Sequence, residues 1–218
     1  DAVVPQGKLQ FEDVHTARER AKNIKWQAIE NLDTLLENFE KKFTARGGKV
    51  IWPEPAQQAI DEIERICKEK NCKTLVESKS MATEEIHLNK AMQQHGIESV
   101  ETDLGEYIQQ LDDEPPYHIV TPAMHKSKED VAKLFAEKLG TDPKLSPQEL
   151  TLVARNILRK KYVEAEVGVT GANFIISDIG GIALTENEGN ARLRCAFPKT
   201  HIAVVDIEKM IPSMTDLA

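Results

Sequence analysis

The amino-acid sequence predicts an α/β fold, a mostly parallel sheet flanked by helices. Three observations carry that expectation. Between residues 49 and 121, short apolar runs alternate with stretches of helical period, the βαβα order that parallel strands require. Two further helices then open on clear start signals. From Ala165 onward the chain turns to glycine and β-branched residues, so it closes on sheet.

The elements follow in order. From residue 13 to 45, Val14, Ala17, Ala21, Ile24, Ala28, Leu35, Phe39 and Phe43 recur at spacings of three, four and seven, which predicts one long N-terminal helix with a single apolar stripe. Gly47 and Gly48 supply its stop. Residues 49–52 read as a strand. Ala56, Ala59, Ile60, Ile63 and Cys67 then share one helical face, and a strand follows at 73–77. Residues 83–95 read as helix, 97–101 as strand, 104–111 as helix and 117–121 as strand. Ser127 stands before Glu129 and Asp130, while Ser146, Pro147 and Glu149 supply an N-cap, a first-turn proline and a capping-box acid. The closing strands fall near 166–169, 173–177, 181–185 and 202–205. This divides the chain into an N-terminal helical extension (1–48), a main domain (49–212) and the start of a connection (213–218).

Composition narrows the function classes. At 218 residues a compact fold buries roughly 70% of its unfolded surface, enough for a core without a metal or disulfide. A formal net charge of -8 gives no positive field for a phosphate backbone, so nucleic acid is not an expected partner. The longest apolar runs, such as 174–176 and 202–205, are far too short for a membrane span, and the first residues lack a signal pattern. Three cysteines, an odd number, suit a reducing compartment, so a cytoplasmic location is expected. A first residue other than methionine, with a connection-like end, marks the chain as an expected piece of a longer protein.

Standard metal and nucleotide motifs are missing. Cys67 and Cys72 have the opening spacing of a plant-type ferredoxin loop, but the next position in that pattern is Leu75. Cys67, on an inner helical face, reads as a buried core residue. His87, His95, His118, His125 and His201 form no HExxH pattern, and Gly168-Val-Thr-Gly171 is only a GxxG. No metal site and no cofactor within this chain are expected.

Two polar stretches remain. In the first, Glu77 to Ile86, a strand ends and a helix begins, the position where open α/β sheets present ligand-binding groups. Lys79, Ser80, Thr83 and Glu84 there are candidates for holding a small carboxylate, although Thr83 also suits an N-cap and Glu84 the positive end of a helix. The second runs from Gly171 to Arg192 and punctuates apolar strands with Asn173, Asp178, Glu186, Asn187, Glu188 and Asn190. Gly180, Gly181 and Gly189 join it as turn positions in the substrate-binding set. Glu186 and Glu188 are the candidate catalytic acids, as nucleophile or general base. Both stretches are expected to converge on one polar cleft at an edge of the sheet.

The same residues carry a family resemblance. Gly168-Val-Thr-Gly-Ala-Asn-Phe174, Gly180-Gly-Ile-Ala-Leu184, Asn187-Glu-Gly-Asn-Ala-Arg-Leu193, His201-Ile-Ala-Val-Val205 and Ile207-Glu-Lys209 resemble the LUD domain of the iron–sulfur subunit of bacterial L-lactate utilisation complexes. Upstream, Lys79-Ser-Met-Ala-Thr-Glu-Glu-Ile86, Glu101-Thr-Asp-Leu-Gly-Glu-Tyr107 and His118-Ile-Val-Thr-Pro-Ala-Met-His-Lys126 resemble it in the same order. One departure is the turn Asp178-Ile-Gly-Gly181, where the family commonly has a Glu-Thr-Gly-Thr type and therefore hydroxyls. The resemblance implies a fold like that of ribose-5-phosphate isomerase and the CoA transferases (NagB/RpiA-like). It also implies a following ferredoxin-like region with two [4Fe–4S] clusters, other subunits of a lactate utilisation complex as partners, and a small carboxylate such as L-lactate or pyruvate as ligand. Two rival readings stand beside it: a CoA-transferase- or isomerase-like module using Glu186 or Glu188, and a non-catalytic scaffold docking through its N-terminal stripe.

Overall fold

The stripe of residues 13–45 is carried by two helices. In the computed structural model, which describes residues 3–78, 80–114, 121–186 and 189–217, a short α1 (Val3–Lys8) precedes α2 (Val14–Glu30) and α3 (Leu32–Ala45). Asp13 caps α2 by accepting from the His15 N–H at 2.8 Å. The helix breaks at Asn31 (φ −119°, ψ 25°), whose side-chain amide donates to the Gln27 carbonyl at 2.9 Å in competition with the backbone ladder.

The remaining elements are α4 (Ala56–Glu69), β1 (Thr74–Glu77), α5 (Met81–Glu85), α6 (Leu88–Gln94), β2 (Glu98–Glu101), α7 (Leu104–Leu111), α8 (Lys128–Leu139), α9 (Pro147–Glu164), β3 (Val167–Thr170), β4 (Phe174–Ile176), β5 (Gly181–Ala183), α10 (Asn190–Ala196), β6 (Thr200–Ala203) and β7 (Met210–Ile211). The expected helix at 83–95 is split into α5 and α6 by His87, which sits in the left-handed region at φ 54°. Residues 49–52 join no strand ladder; Val50 instead packs with Phe39 and its neighbours. The strand expected at 117–121 falls, apart from Thr121, outside the described residues.

These elements form two compact units. One comprises Pro53–Gly171 and Glu186–Val204 and is built on an all-parallel sheet of order β2-β1-β3-β6. Helices cover both faces, because Leu75 and Val76, adjacent on β1 and both inaccessible, enter different apolar clusters. Leu75 packs with Ile60, Ile63, Cys67, Leu88 and Met92; Val76 packs with Tyr107, Phe135, Leu150, Leu158 and Tyr162. Capping boxes at Ser127/Asp130 and Ser146/Glu149 fix the starts of α8 and α9. The α/β class, with its parallel sheet and flanking helices, is therefore present.

The other unit gathers the chain up to Trp52, Ala172–Thr185 and the residues from Val205 onward. Its sheet has the order β5-β4-β7, with β4 antiparallel to β5 and parallel to β7. Phe39, Ile175 and Met210 form its centre, and the Phe39 and Phe43 rings stack at 5.3 Å. The Ser177 hydroxyl donates to the Leu35 carbonyl at 2.9 Å, tying the turn after β4 to α3. Gly180 follows at φ 58°, and a Cβ there would lie 2.6 Å from the Phe43 nitrogen. Among the described residues no helix is long and apolar enough to cross a membrane.

Candidate functional site

In the parallel unit, β1 and β2 both end on a glutamate. Glu77 and Glu101 are register partners, so their carboxyls leave neighbouring strands on the same face at the C-terminal edge. That edge is where open α/β sheets place their ligands. Glu77 is 1% and Glu101 8% exposed. Glu106 joins them, buried in the first turn of α7, which Asp103 caps by accepting from the Gly105 and Glu106 N–H groups at 2.9 and 3.2 Å.

A buried cation enters from α10. Arg194, 1% exposed, donates through Nη1 to the Glu77 carbonyl at 3.0 Å and to the Thr102 hydroxyl. Thr102 in turn donates to the same carbonyl at 2.7 Å. The arginine fits because Gly168 lies under its backbone: a Cβ there would meet the Arg194 carbonyl oxygen at 2.4 Å. On the carboxyl side, Asn89 donates to Glu101 Oε1 at 2.5 Å, while the Thr83 hydroxyl donates to the Ser80 carbonyl at 2.9 Å and, beside Glu77, favours its charged form. Three buried atoms of this cluster, Glu77 Oε2, Glu101 Oε2 and Arg194 Nε, have no hydrogen-bond partner among the described residues.

The field follows from the geometry. Burial, reinforced by the Glu101 charge, pushes the Glu77 carboxyl well above the usual range, against the opposing pull of Thr83 and Arg194. Burial also raises Glu101, although its hydrogen bonds from Asn89 and Glu106 hold it down. The guanidinium is lowered by the same desolvation but stays charged. The arrangement thus joins a fixed cation to carboxyls that favour their neutral, proton-donating form.

The residues singled out in the sequence distribute unevenly. Ser80, Thr83 and Glu84 lie in this unit, with Thr83 buried against Glu77 and Ser80 so near Gly171 that a Cβ there would be 2.7 Å from its hydroxyl. Glu186, Gly189 and Asn190 lead into α10. Glu186 accepts from the Arg192 N–H at 2.9 Å and from its guanidinium at 3.0 Å, and these contacts hold its carboxyl below the usual range. Gly189 (φ 81°) turns the chain into the helix, and Asn190 Oδ1 accepts from the Ala191 N–H at 2.9 Å. Asn173, Asp178, Gly180 and Gly181 belong to the other unit. There Asn173 accepts from the Thr185 N–H at 2.7 Å, and Asp178 accepts from the Ser213 hydroxyl and Met214 N–H at 2.7 and 3.0 Å. Lys79, Asn187 and Glu188 lie outside the described residues. Glu101, Thr102, Glu106 and Arg194 were not candidates from the sequence; the available signal was that two apolar strands, Thr74–Glu77 and Glu98–Glu101, each end in an acid.

A smaller cluster sits at the ends of β3 and β6, where the Thr170 hydroxyl and His201 Nε2 are 2.8 Å apart and Cys195 Sγ lies 3.6 Å from the same nitrogen. Desolvation raises the thiol and lowers the imidazole, which favours a neutral pair over a thiolate–imidazolium pair. Cys67 and Cys72 are buried in the core. A [4Fe–4S] cluster takes four thiolates and the chain has three cysteines, so its own residues do not fit one. Among the described residues no three His, Cys, Asp or Glu side chains are placed to hold a metal ion.

Comparison with known proteins agrees with the motif reading. The family model of the LUD domain matches residues 36–218. The chain is 46% identical over 200 residues to Lactate utilization protein B of Bacillus velezensis, covering 91% of this chain and 42% of that protein. The protein of the same name in Bacillus subtilis gives the same identity and coverage, and that of Macrococcus caseolyticus is 45% identical over 201 residues, covering 92% and 42%. The chain thus spans about two fifths of the length of the curated relatives it matches. No solved structure matches it.

Proposed function

The chain belongs to the LUD-domain family, and on that premise we propose that it serves lactate utilisation, as the LUD domain of an iron–sulfur subunit in a complex that oxidises L-lactate to pyruvate. Its part is to bind a small 2-hydroxy or 2-oxo carboxylate at the C-terminal edge of the four-stranded sheet. The electron-carrying clusters are assigned to residues outside this chain, and the partners are the other subunits of the complex. A cytoplasmic site of action accompanies this reading.

The observation that carries it is Arg194, a buried guanidinium aimed at the ends of β1 and β2 with Nε unengaged among the described residues. Arginine matches the planar carboxylate of a hydroxy or oxo acid. The neutral form of Glu77 supplies a donor for the oxygen on the adjacent carbon, while the Thr83 and Thr102 hydroxyls are engaged with the Ser80 and Glu77 carbonyls. Thermal unfolding with L-lactate, pyruvate and propionate tests the reading. A ligand at a hundred times its Kd adds about 2.7 kcal/mol of stability. Stabilisation by the first two and not by propionate is expected; no shift with any of them refutes it.

A second reading is favoured by Glu186, whose carboxyl is held ionised by the Arg192 N–H, as a nucleophile requires. Here Glu186 takes an acyl group from a CoA thioester, forming an anhydride as the C–S bond breaks and the thiolate departs. Acyl-CoA turnover lost in Glu186→Gln would support it, and no turnover by the unaltered chain would end it.

A further inference from the structure

We propose that Glu77 and Glu101 form an acid–base pair, which keeps one proton between two carboxyls at neutral pH and exchanges it with the oxygen of a hydroxy or oxo acid bound at the sheet edge. The exchange rests on the reading of that edge as a carboxylate site; the shared proton does not.

The backbone sets the pair. In a parallel ladder, register partners stand about 4.8 Å apart and point the same way, so the two glutamates at the ends of β1 and β2 leave one face of the sheet side by side. Both are buried, and each keeps one oxygen with no partner among the described residues. A donor is what such a pair lacks, and a proton between the two carboxyls supplies it. Surrounding charge acts in part in the same direction: Glu84 on α5 and Asp103, the cap of α7, add negative groups, whereas Glu106 on α7 hydrogen-bonds Glu101 and favours its charged form. Against them stands the Arg194 guanidinium, already turned to the Glu77 carbonyl and Thr102. Asn89 donates to Glu101 and so favours its anionic form, which leaves Glu77, the more deeply buried, as the proton carrier.

Arg194 is the independent sign that something else binds here. A guanidinium 1% exposed with a free Nε–H beside unpartnered carboxyl oxygens needs a molecule with both acceptor and donor oxygens. A 2-oxo acid offers its carboxylate to Arg194 and its oxo oxygen to the Glu77 proton. The exchange is one of hydrogen bonds: the Glu77 proton is donated to the oxo oxygen of the ligand and returns to the pair when the ligand leaves, with no covalent bond to carbon made or broken. A 2-hydroxy acid instead donates its hydroxyl to the anionic member of the pair.

Infrared difference spectroscopy of the chain at pH 7 tests the pair directly. We expect a protonated carboxyl C=O band that is absent from Glu77→Gln and that shifts or disappears when pyruvate is added to saturation. Glu77→Gln should also weaken pyruvate binding about tenfold, the loss of one good hydrogen bond. Circular dichroism checks that the variant folds, and Glu101→Gln, which must also alter the band, serves if it does not. No protonated carboxyl band at pH 7, or one unchanged in both variants, overturns the acid–base pair even where pyruvate stabilises the chain. If neither pyruvate nor L-lactate stabilises it, the carboxylate site fails and the exchange with it, while the band still reports on the shared proton. A band untouched by pyruvate that demonstrably binds overturns the exchange alone.

Discussion

Replacing Glu77 by glutamine should make the chain more stable as the pH rises, and the size of the gain follows from where the side chain lies. Two full charges about 5 Å apart repel by roughly 3 kcal/mol at an effective dielectric near 20, before any desolvation is counted. Glu77 therefore stays protonated in the folded chain to a pH at which the unfolded chain, with its ordinary value near 4.3, has already ionised. A raised folded value means stability that is fully present below about pH 4.3 and lost as the pH climbs toward the folded value. The loss runs at about 1.4 kcal/mol per pH unit, because the folded state binds one proton more. Between pH 5 and 7 the wild type should thus lose up to about 2.7 kcal/mol that Glu77→Gln keeps, or about 5–11 °C of Tm for a chain of this size. Urea unfolding of both proteins at pH 5, 6 and 7 measures the difference, and carboxylates of the opposite sense, such as Asp112 and Glu186, cancel between them. A difference constant across the three pH values would refute the reasoning.

Three other substitutions probe the two units separately. Arg194→Met leaves the Thr102 hydroxyl without its donor and the buried acids without their counter-charge; it should cost about 3–5 kcal/mol in denaturant unfolding and abolish stabilisation by pyruvate, and a cost below 1 kcal/mol would remove Arg194 from the centre of the site. Gly180→Ala combines a left-handed backbone with a contact against α3, so a loss of about 2 kcal/mol or more is expected, whereas Gly181→Ala meets only the flexible Ile179 side chain and should cost less; equal losses would contradict the close approach.

Local signals in the sequence were dependable where local chemistry governs. Ser127 and Ser146 mark helix starts because a hydroxyl three residues before an acid satisfies backbone donors whatever surrounds it. The break at Asn31 escaped notice because Ala28 and Leu35 lie seven apart, a spacing that stays in phase across the interruption. The site was legible only in part. Thr83 and Ser80 follow a strand in sequence and so declare themselves, but Glu77 and Glu101 become partners only through a ladder joining segments 24 residues apart. Arg194 looks like any helical charge until Gly168 lets the helix settle against the strand. Phe174 follows Thr170 by four residues, yet the two belong to different sheets. Nothing in the intervening Gly171, Ala172 and Asn173 announces that change.

The interleaving of the two units bears on how the chain is made. Helices α2 and α3 are made well before the rest of their unit: β7, the strand that completes its sheet, follows far along the chain, and the Glu208 and Met210 carbonyls that bind Lys25 come more than 180 residues after it. While the intervening residues are made, at roughly 5–20 residues per second, the side chains of Leu35, Phe39 and Phe43 therefore lack the sheet they finally cover. The parallel unit, whose strands β1, β2 and β3 are all complete by Thr170, has what it needs to begin folding well before that. The nascent chain thus presents an apolar stripe for seconds, and the helices that carry it wait for partners made long after them.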